Sequence, residues 1–570
     1  MNEATNLRNK NLIKSVFIRI LLPALAAGAS ANIASMIDGV IVGNAIGRDA
    51  LAAVNACRPA TQIFGFLSEI FASGLANCIA HSVGKNEKDN TNRIFTTGLM
   101  TALIVGLLLT AVQFAFSGGI CRLFANNDTL YPMTLEYFRI FSFSVLFILL
   151  NDSLAASMRT DGKQSLSALV ALLPHIVNAV LNVVFVSVFG MGLQGVALAT
   201  VLGYIAGFVV GCYYYFFKKS YRISFGNYTK NLAGITSVGF PPAINKGLIS
   251  IKLLIINSLA LASGGSLAMA IMSLIMVEWA LESLFIGGVK QTMLPMISFY
   301  YASGDYHGVR SVFMHAFKVL MIAEAVLILL FEAVPQILPL LFGMREADEI
   351  AAASTAIRIF ALSMPMEAFT MLTITYYTAI RNRKTAVFLS VLQGLVATVP
   401  VIYPLVHCFG VTGVWLSYPA AGLIPLAAIA ILSRCNTERF FNMSGHTYLQ
   451  EFSVIYEKIP ETVESVIRAV RDAGFDKNIA NRTGMAIEEM AVSAFKRNQG
   501  RKLHVDVTVR KTEEMLLVTF ADDGVQFDPL QYAETDKEDQ PSNIAVLKSI
   551  SHKVEYGRVV GINKTDITLK

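Results

Sequence analysis

The fold class that this sequence predicts is an all-α polytopic membrane domain of twelve transmembrane helices in two parallel six-helix repeats, followed by a C-terminal α+β two-layer sandwich. Three observations predict it. The composition is that of a membrane protein: 54% of the 570 residues are hydrophobic, 15% are charged and the mean hydropathy is +0.55, against about 25% charged residues in soluble domains. Landmarks of the first half return about 220 residues later. From Tyr448 onward the long apolar runs stop. Residues from Thr447 to the end hold 17 Lys/Arg and 20 Asp/Glu, leaving 29 and 20 for the rest, so the net charge of +6 divides into +9 for the front and −3 for the tail. Because the positive charge sits in loops between apolar runs, a nucleic-acid-binding protein is excluded.

A helix needs about 20 apolar residues to cross a bilayer. Twelve stretches supply them: 16–44, 51–77, 92–116, 133–156, 166–188, 195–217, 239–262, 267–299, 310–332, 354–379, 386–408 and 413–433. The first is too long for the apolar core of a signal peptide and follows Arg8, Lys10 and Lys14, so it reads as a retained helix. Basic residues gather in alternate loops: Lys85, Lys88 and Arg93; Arg159 and Lys163; Lys218, Lys219, Arg222 and Lys230; Arg310; Arg381, Arg383 and Lys384. The other loops carry Arg48, Arg122 and Arg345. By the positive-inside rule both termini are cytoplasmic, in a multi-pass protein of a bacterial-type plasma membrane. The six cysteines (Cys57, Cys78, Cys121, Cys212, Cys408 and Cys435) show no CxxC spacing and read as small apolar residues of membrane helices.

Pro23, Gly84, Arg159 and Gly190 return as Pro241, Gly304, Arg381 and Gly410, and Gly190-Met-Gly-Leu-Gln-Gly-Val matches the shorter Gly410-Val-Thr-Gly-Val. Six helices per repeat is an even number, so both halves insert the same way up. The units are then 1–222, 223–444 and the tail 445–570. Two parallel lobes around a midplane cavity are transporter architecture. The run Met36-Ile-Asp-Gly-Val-Ile-Val-Gly-Asn-Ala-Ile-Gly47 with Leu51-Ala-Ala-Val, then Met158-Arg-Thr-Asp-Gly-Lys163, Asn178-Ala-Val-Leu-Asn182 and Gly195-Val-Ala-Leu-Ala-Thr200, resembles the multidrug and toxic compound extrusion (MATE) family over residues 13–435. The resemblance implies a V-shaped pair of bundles exporting small organic cations in exchange for H⁺ or Na⁺.

A charge at the bilayer centre costs at least about 2.5–3.5 kcal/mol, so each one needs a partner, a cavity or a task. Asp38 in the first span is a candidate coupling group, and it falls on the family's first-helix aspartate. His175, Asn178 and Asn182 share one face of span five, where amide oxygens can complete a cation shell or bond a protonated Asp38; Pro174 opens a carbonyl nearby. The same amides serve equally as polar glue between helices. Asn55, Gln62, Glu69, Ser73 and Asn77 stripe span two, and Glu69, deep toward the cytoplasmic side, fits a gate or packing role as well as a binding role. In the second half the family's span-seven acid is replaced by Ile249 or Ser250, flanked by Lys246 and Lys252, and acids stand instead at Glu278 and Glu282 on span eight. Equal depth from the 262–267 hairpin predicts a Lys252–Glu278 pair. Glu282, and Glu367 beside Pro365, then line a C-lobe cavity for cation or proton.

The tail alternates strand (Tyr448–Tyr456), helix (Glu461–Ala473), helix (Asn478–Lys496), strands (Leu503–Arg510 and Met515–Phe520), a short helix (Asn543–Ser551) and strands (Val554–Arg558 and Thr565–Leu569). This order suggests helices on one face of a mixed sheet. The segments Met485-Ala-Ile-Glu-Glu-Met-Ala-Val-Ser-Ala-Phe-Lys-Arg-Asn498 and Ala521-Asp-Asp-Gly-Val-Gln-Phe-Asp-Pro529 resemble the histidine-kinase-like ATPase fold of anti-sigma-factor serine kinases. The resemblance implies an ATP/Mg²⁺ site in which Asp522 reads the adenine amino group, Gly524 admits the base and Glu489 activates a hydroxyl or water. Two departures weaken it: Ser493 stands where an asparagine would ligand Mg²⁺, and Ser542-Asn-Ile-Ala-Val-Leu547 replaces a glycine-rich lid. Catalysis is therefore expected to be weak or absent.

The leading function is an antiporter regulated by its tail. The competing readings are a signalling protein whose tail acts as a kinase or sequesters a cytoplasmic regulatory protein, and a lipid-linked precursor flippase, which Lys246 and Lys252 would suit. No Walker loop GxxxxGK[ST] occurs, so ATP-powered primary transport is not expected.

Overall fold

The structure, a computed structural model, describes residues 12–26, positions 42, 46, 50, 53 and 54, and the runs 57–85, 87–124, 130–218, 221–341, 344–435, 447–512, 515–529 and 543–570. The helices are α1 (12–26), α2 (Arg58–Gly84), α3 (Lys88–Ala115), α4 (Ser117–Phe124), α5 (Leu130–Phe141), α6 (Ser144–Thr160), α7 (Gln164–Asn182) and α8 (Gly192–Lys218). They continue as α9 (Tyr228–Ala302), α10 (Tyr306–Ala333), α11 (Ile337–Leu341), α12 (Ala347–Ala361), α13 (Met364–Ala379), α14 (Arg383–Val391), α15 (Val399–Phe409) and α16 (Val411–Cys435). Helix α9 is two spans joined at Gly265, whose φ of 61° and ψ of −146° break the helical path. Among the described residues ten helical stretches are long and apolar enough to cross a membrane, or eleven with the bent pair α5–α6. Much of the first expected span lies outside the described residues.

The internal repeat is visible in the backbone. Helices α7 and α14 both run into a π-helical turn, Val183–Val188 and Leu392–Val396, and each hairpin then turns on a left-handed glycine, Gly190 (φ 66°) and Gly410 (φ 57°). The junctions before α7 and α14 also match bond for bond. Gly162 N donates to Arg159 O and Lys163 N to Met158 O, as Arg381 N donates to Thr378 O and Asn382 N to Tyr377 O. The structural counterpart of Arg381 is therefore Gly162, not Arg159 as the text alignment has it. Gly162 takes φ 75° without strain, whereas Arg381 takes φ 61° with a side chain, at a cost of about 1 kcal/mol.

The tail holds β1 (Thr447–Val454), α17 (Ile459–Asp472), α18 (Lys477–Arg497), β2 (Val505–Thr512), β3 (Met515–Asp522), α19 (Asn543–Ile550), β4 (Lys553–Val559) and β5 (Ile562–Leu569). Its sheet has the order β1-β2-β3-β5-β4. All four pairings are antiparallel, which corrects the expected mixed sheet. The reason is the tight turn at Val560-Gly561 (φ 49° and 84°), which folds β5 back between β4 and β3. On one face Val505, Val507, Val509, Leu516, Val518 and Phe520 pack on Val466, Val470, Ile487 and Met490 of the two helices.

The other face is polar and is buried all the same. Asp506, Thr508, Arg510, Thr519, Lys564 and Asp566 are each at most 9% exposed, because this face lies on the membrane domain. Arg510 Nη1 donates to Ser303 O (2.8 Å) and Nη2 to Thr519 Oγ1 (3.0 Å). Thr519 donates to Asp566 Oδ1 (2.7 Å), Lys564 pairs with Asp566 Oδ2 (2.5 Å), and the Lys564 ammonium lies 5.8 Å from the Phe299 ring centre. Further ties are Arg19–Asp523 (3.2 Å), Lys88–Asp528 (3.0 Å) and Val560 N to Thr160 O (2.8 Å). Helix α1 seals the junction. Its stripe Leu12, Ile13, Val16, Phe17, Ile20 and Leu21, spaced at one helical turn, shares a core with Val289, Met293 and Leu372 of the C-lobe and with Ala521, Val559, Val560 and Ile562 of the tail.

Asp566 is the keystone of the polar face. Burial works to raise its carboxyl pKa, but Lys564, Thr519 and Arg510 outweigh burial and hold it below the usual aspartate range. A depressed carboxyl contributes stability above its unfolded pKa and loses it as pH falls through the folded one. Asp566→Asn leaves Lys564 buried without a counter-charge and is expected to weaken tail docking by about 3–5 kcal/mol at pH 7. The same variant should flatten the acid limb of the stability profile. Hydrogen exchange of residues 553–569 in the full chain, followed across pH, checks both.

Candidate functional site

Two lobes with polar groups at their contact, and ionisable groups buried within one lobe, make the candidate transport site. On the side that carries the tail, the lobes touch backbone to backbone. A Cβ on Gly74 would lie 2.2 Å from Ile235 O, one on Gly239 would lie 2.0 Å from Ile70 O, and one on Gly84 would lie 2.7 Å from Phe299 O. Only glycine permits this approach. Above that seal, Lys290 of α9 pairs with Glu69 of α2 (3.1 Å), and Ser73 also donates to Glu69 (2.5 Å). Asn77 Nδ2 donates to Ser298 Oγ (2.7 Å) and reaches the carbonyls of Thr378 and Ala379 (both 3.3 Å). A narrow cleft opens here between the lobes, with Ser73, Asn245, Lys290, Thr375 and Thr378 on its walls. The span-two stripe thus acts as a latch onto the opposite lobe. Lys290 escaped the sequence reading, although a lone lysine in an apolar span is the signal that found Lys252.

The C-lobe gathers the acids. Glu278, Glu282 and Glu324 are at most 1% exposed, and among the described residues neither carboxyl oxygen of any of them has a hydrogen-bond partner. Glu282 has Glu367, Glu324, Glu278 and Lys252 as its charged neighbours. Glu367 accepts from Trp279 Nε1 (3.3 Å) and opens onto a narrow cleft shared with Lys252, Gln393, Ser417 and Tyr418. The expected Lys252–Glu278 ion pair does not form. Equal depth sets height and leaves rotation free, and Lys252 turns to the Glu367 cleft, while Glu278 neighbours Glu332. Glu324 on α10 was missed, despite standing alone in an apolar run. Several carboxyls without donors in a low-dielectric site demand compensating positive charge, carried by protons or a bound cation. Among the described residues no three His, Cys, Asp or Glu converge as a metal cage would require.

The N-lobe groups are arranged differently. Asp38 lies outside the described residues. Asn178 Nδ2 donates to Thr200 Oγ1 on α8 (2.9 Å), and Asn182 Nδ2 reaches Asn178 Oδ1 (3.4 Å). The first bond ties α7 to α8, as polar groups between membrane helices do, and the second stays within α7. His175 meets the Tyr204 ring edge-to-face at 6.2 Å. Proline at 174 removes the donor to the carbonyl four residues earlier, and Asn151 Nδ2 takes that carbonyl, Val170 O, at 3.2 Å. The carbonyl expected for a cation therefore serves α6.

In the tail, the residues expected to hold ATP/Mg²⁺ do not fit it. Asp522 Oδ1 already accepts from Gly524 N (2.9 Å) and Asn563 Nδ2 (2.8 Å). Burial pushes the Asp522 carboxyl up, against the pull of those two bonds and of Arg497 and Arg558. A Cβ on Gly524 would meet Asn498 at 2.4 Å, so the glycine admits that amide rather than a base. Ser493 accepts from Arg497, whose guanidinium covers the Phe527 ring at 3.2 Å and puts a fixed positive charge where a magnesium ligand was expected. Glu489 has one buried carboxyl oxygen, Oε2, without a partner.

The family model MatE matches residues 23–184 and 241–404. Multidrug export protein MepA of Staphylococcus aureus (strain MRSA252) is 23% identical over 393 residues, 67% of this chain and 85% of that protein. Probable multidrug resistance protein YoeA of Bacillus subtilis (strain 168) is 23% identical over 244 residues, 41% of this chain and 52% of that one. Among solved structures, an outward-facing multidrug resistance MATE transporter of the MOP superfamily superposes with a TM-score of 0.70 at 20% identity, over 76% of this chain and 98% of that chain. A MOP superfamily transporter from Pyrococcus furiosus Vc1 (DSM3638), described as having a binding pocket of reverse polarity, gives 0.68 at 20% identity with the same coverage.

Two outcomes follow from the geometry. Gly74→Ala and Gly239→Ala each place a methyl into a backbone carbonyl and should destabilise the lobe contact by about 1–3 kcal/mol, read as a lower unfolding temperature of the purified protein. ATP turnover by the full chain should be undetectable, and Glu489→Gln should leave the phosphate-release trace unchanged.

Proposed function

The chain belongs to the MatE family of multidrug efflux transporters, and from that premise we propose that it is a secondary antiporter exporting small organic cations in exchange for H⁺ or Na⁺, with its tail as regulator. The observation that carries the reading is the buried acid cluster of the C-lobe. Glu282 and Glu324 lack hydrogen-bond donors, and Glu367 faces a cleft. Such a cluster binds positive charge strongly, but it has no reason to prefer one carrier. A proton entering from one side and an organic cation leaving on the other then compete for the same carboxyls, which is exchange. Organic cations with aromatic rings also find Trp279 and Tyr418 beside the acid. In this reading Asp38 is the coupling group of the N-lobe, and His175, Asn178 and Asn182 are its candidate partners.

Alternating access requires the seal at Gly74 and Gly239 to part and the Glu69–Lys290 pair to break. Twelve spans and cytoplasmic termini complete the proposal, with the tail side facing the cytosol. The tail then regulates mechanically. Its contacts reach Arg19, Lys88 and Thr160 of the first lobe and Ser303 of the second, so lobe separation on that side must strip it away or carry it along. A histidine-kinase-like ancestry for the tail is compatible with this role, as a brace in place of an enzyme, and a cytoplasmic protein that binds the tail would act on the same contacts.

Transport into proteoliposomes with an imposed pH or Na⁺ gradient tests the reading. The wild-type protein should concentrate an organic cation against its gradient. Glu282→Gln with Glu367→Gln should cut uptake by about tenfold or more, and Asp38→Asn should uncouple it from the ion gradient. Unchanged uptake in the double variant would make these acids structural and sink the exchange mechanism.

A further inference from the structure

A separate polar cleft lies on the tail side, away from the carboxylates and from the Glu69–Lys290 pair. It measures about 230 Å³ between the lobes and is lined by His81, Lys85 and Glu87 of the first lobe and by Lys230, Asn231 and Arg381 of the second. Neither the family relation nor the exchange mechanism uses it. Among the described residues no carboxylate lies within ion-pair distance of Lys85, Lys230 or Arg381, and the acid on its rim, Glu87, accepts from Asn90 Nδ2 (2.8 Å). Two further observations point to a ligand. Asn231 is 8% exposed, and its amide Nδ2 has no acceptor. Arg381 holds a left-handed backbone at the position where the first repeat uses Gly162, so the second repeat keeps a strained arginine where glycine would fold more easily. Its guanidinium reaches across the boundary to Cys78 Sγ (3.5 Å).

We propose that this cleft binds a phosphate-bearing anion, held between Lys85 of one lobe and Lys230 and Arg381 of the other. The planar guanidinium suits two phosphate oxygens at once, the ammonium groups supply point charge, and Asn231 adds a neutral donor. The cleft is far larger than a bare ion needs and admits a phosphomonoester or the head group of an anionic phospholipid. An occupant neutralises like charges that otherwise repel across the lobe boundary, so it acts as a strut for the arrangement closed on the tail side.

Lysine acetylation footprinting of the purified full chain, read by mass spectrometry, tests this on unaltered protein. The two probes are glycerol 3-phosphate in solution and phosphatidylglycerol mixed into an uncharged detergent, with phosphatidylcholine as the control. Labelling of Lys85 and Lys230 should fall about tenfold at saturation, while exposed Lys163 keeps its rate. Protection by glycerol 3-phosphate identifies a soluble ligand, and protection by phosphatidylglycerol alone identifies a lipid head group. Arg381→Gly, which retains the turn, should leave the unfolding temperature at or above that of wild type and weaken protection about tenfold. No protection by either probe, or equal protection in Arg381→Gly, overturns the site.

Discussion

The contact on which this molecule depends is the meeting of two helices without side chains between them. At Gly74 and Gly239 the backbones of α2 and α9 stand so close that a single methyl would fall inside a carbonyl oxygen's radius. Helix association in a membrane draws little from the hydrophobic effect, because lipid is as apolar as a leucine side chain, so close packing and interhelical hydrogen bonds must supply it. The same proximity lets Asn77 reach two carbonyls of α13 and brings Glu69 within ion-pair distance of Lys290. A wider crossing would leave each of these groups facing an apolar gap. Sealing and opening are thereby concentrated in one small region, which suits a device that must alternate between two discrete arrangements.

The tail is bound to that region through an uncommon surface. A sheet with helices on one face ordinarily leaves its second face wet. Here the second face keeps the alternation of a wet surface, with threonine, arginine, lysine and aspartate, and still buries it. Burial is tolerable because the charges satisfy one another in sequence from Arg510 through Thr519 and Asp566 to Lys564. A polar interface of this kind is specific without being sticky, since separation returns each group to water. That quality fits the regulatory role proposed for the tail.

Much of the architecture was legible in the text. The apolar runs, the repeat and the five strands follow from period and composition, and carboxylates stand out in an apolar run, as at Glu278, Glu282 and Glu367. What escaped has common physical causes. Rotation about a helix axis is not encoded in depth, so Lys252 was assigned to the wrong acid. A proline's freed carbonyl can be claimed by any nearby donor, and Asn151 claimed that of Val170. Strand direction depended on the turn at Val560-Gly561, and the burial of the polar sheet face is not written in its alternation, which cannot distinguish water from a polar partner. Asp522 carried a motif, yet Asn563, forty-one residues away in the chain, occupies the carboxyl the motif was meant to offer.

Helix α1 leaves the ribosome long before the strands that cover it; Ser15 bonds Asp523 across 508 positions of chain. Until the ribosome has finished, one apolar side of that helix has no tail to rest against, and for most of synthesis it lacks its C-lobe partners as well. A chain that stops early therefore displays Val16, Phe17 and Ile20 as an uncovered hydrophobic edge near the membrane surface, the kind of feature that quality-control proteases and chaperones engage. Closure of β4 and β5 over α1 is thus the step of synthesis that takes this edge out of reach.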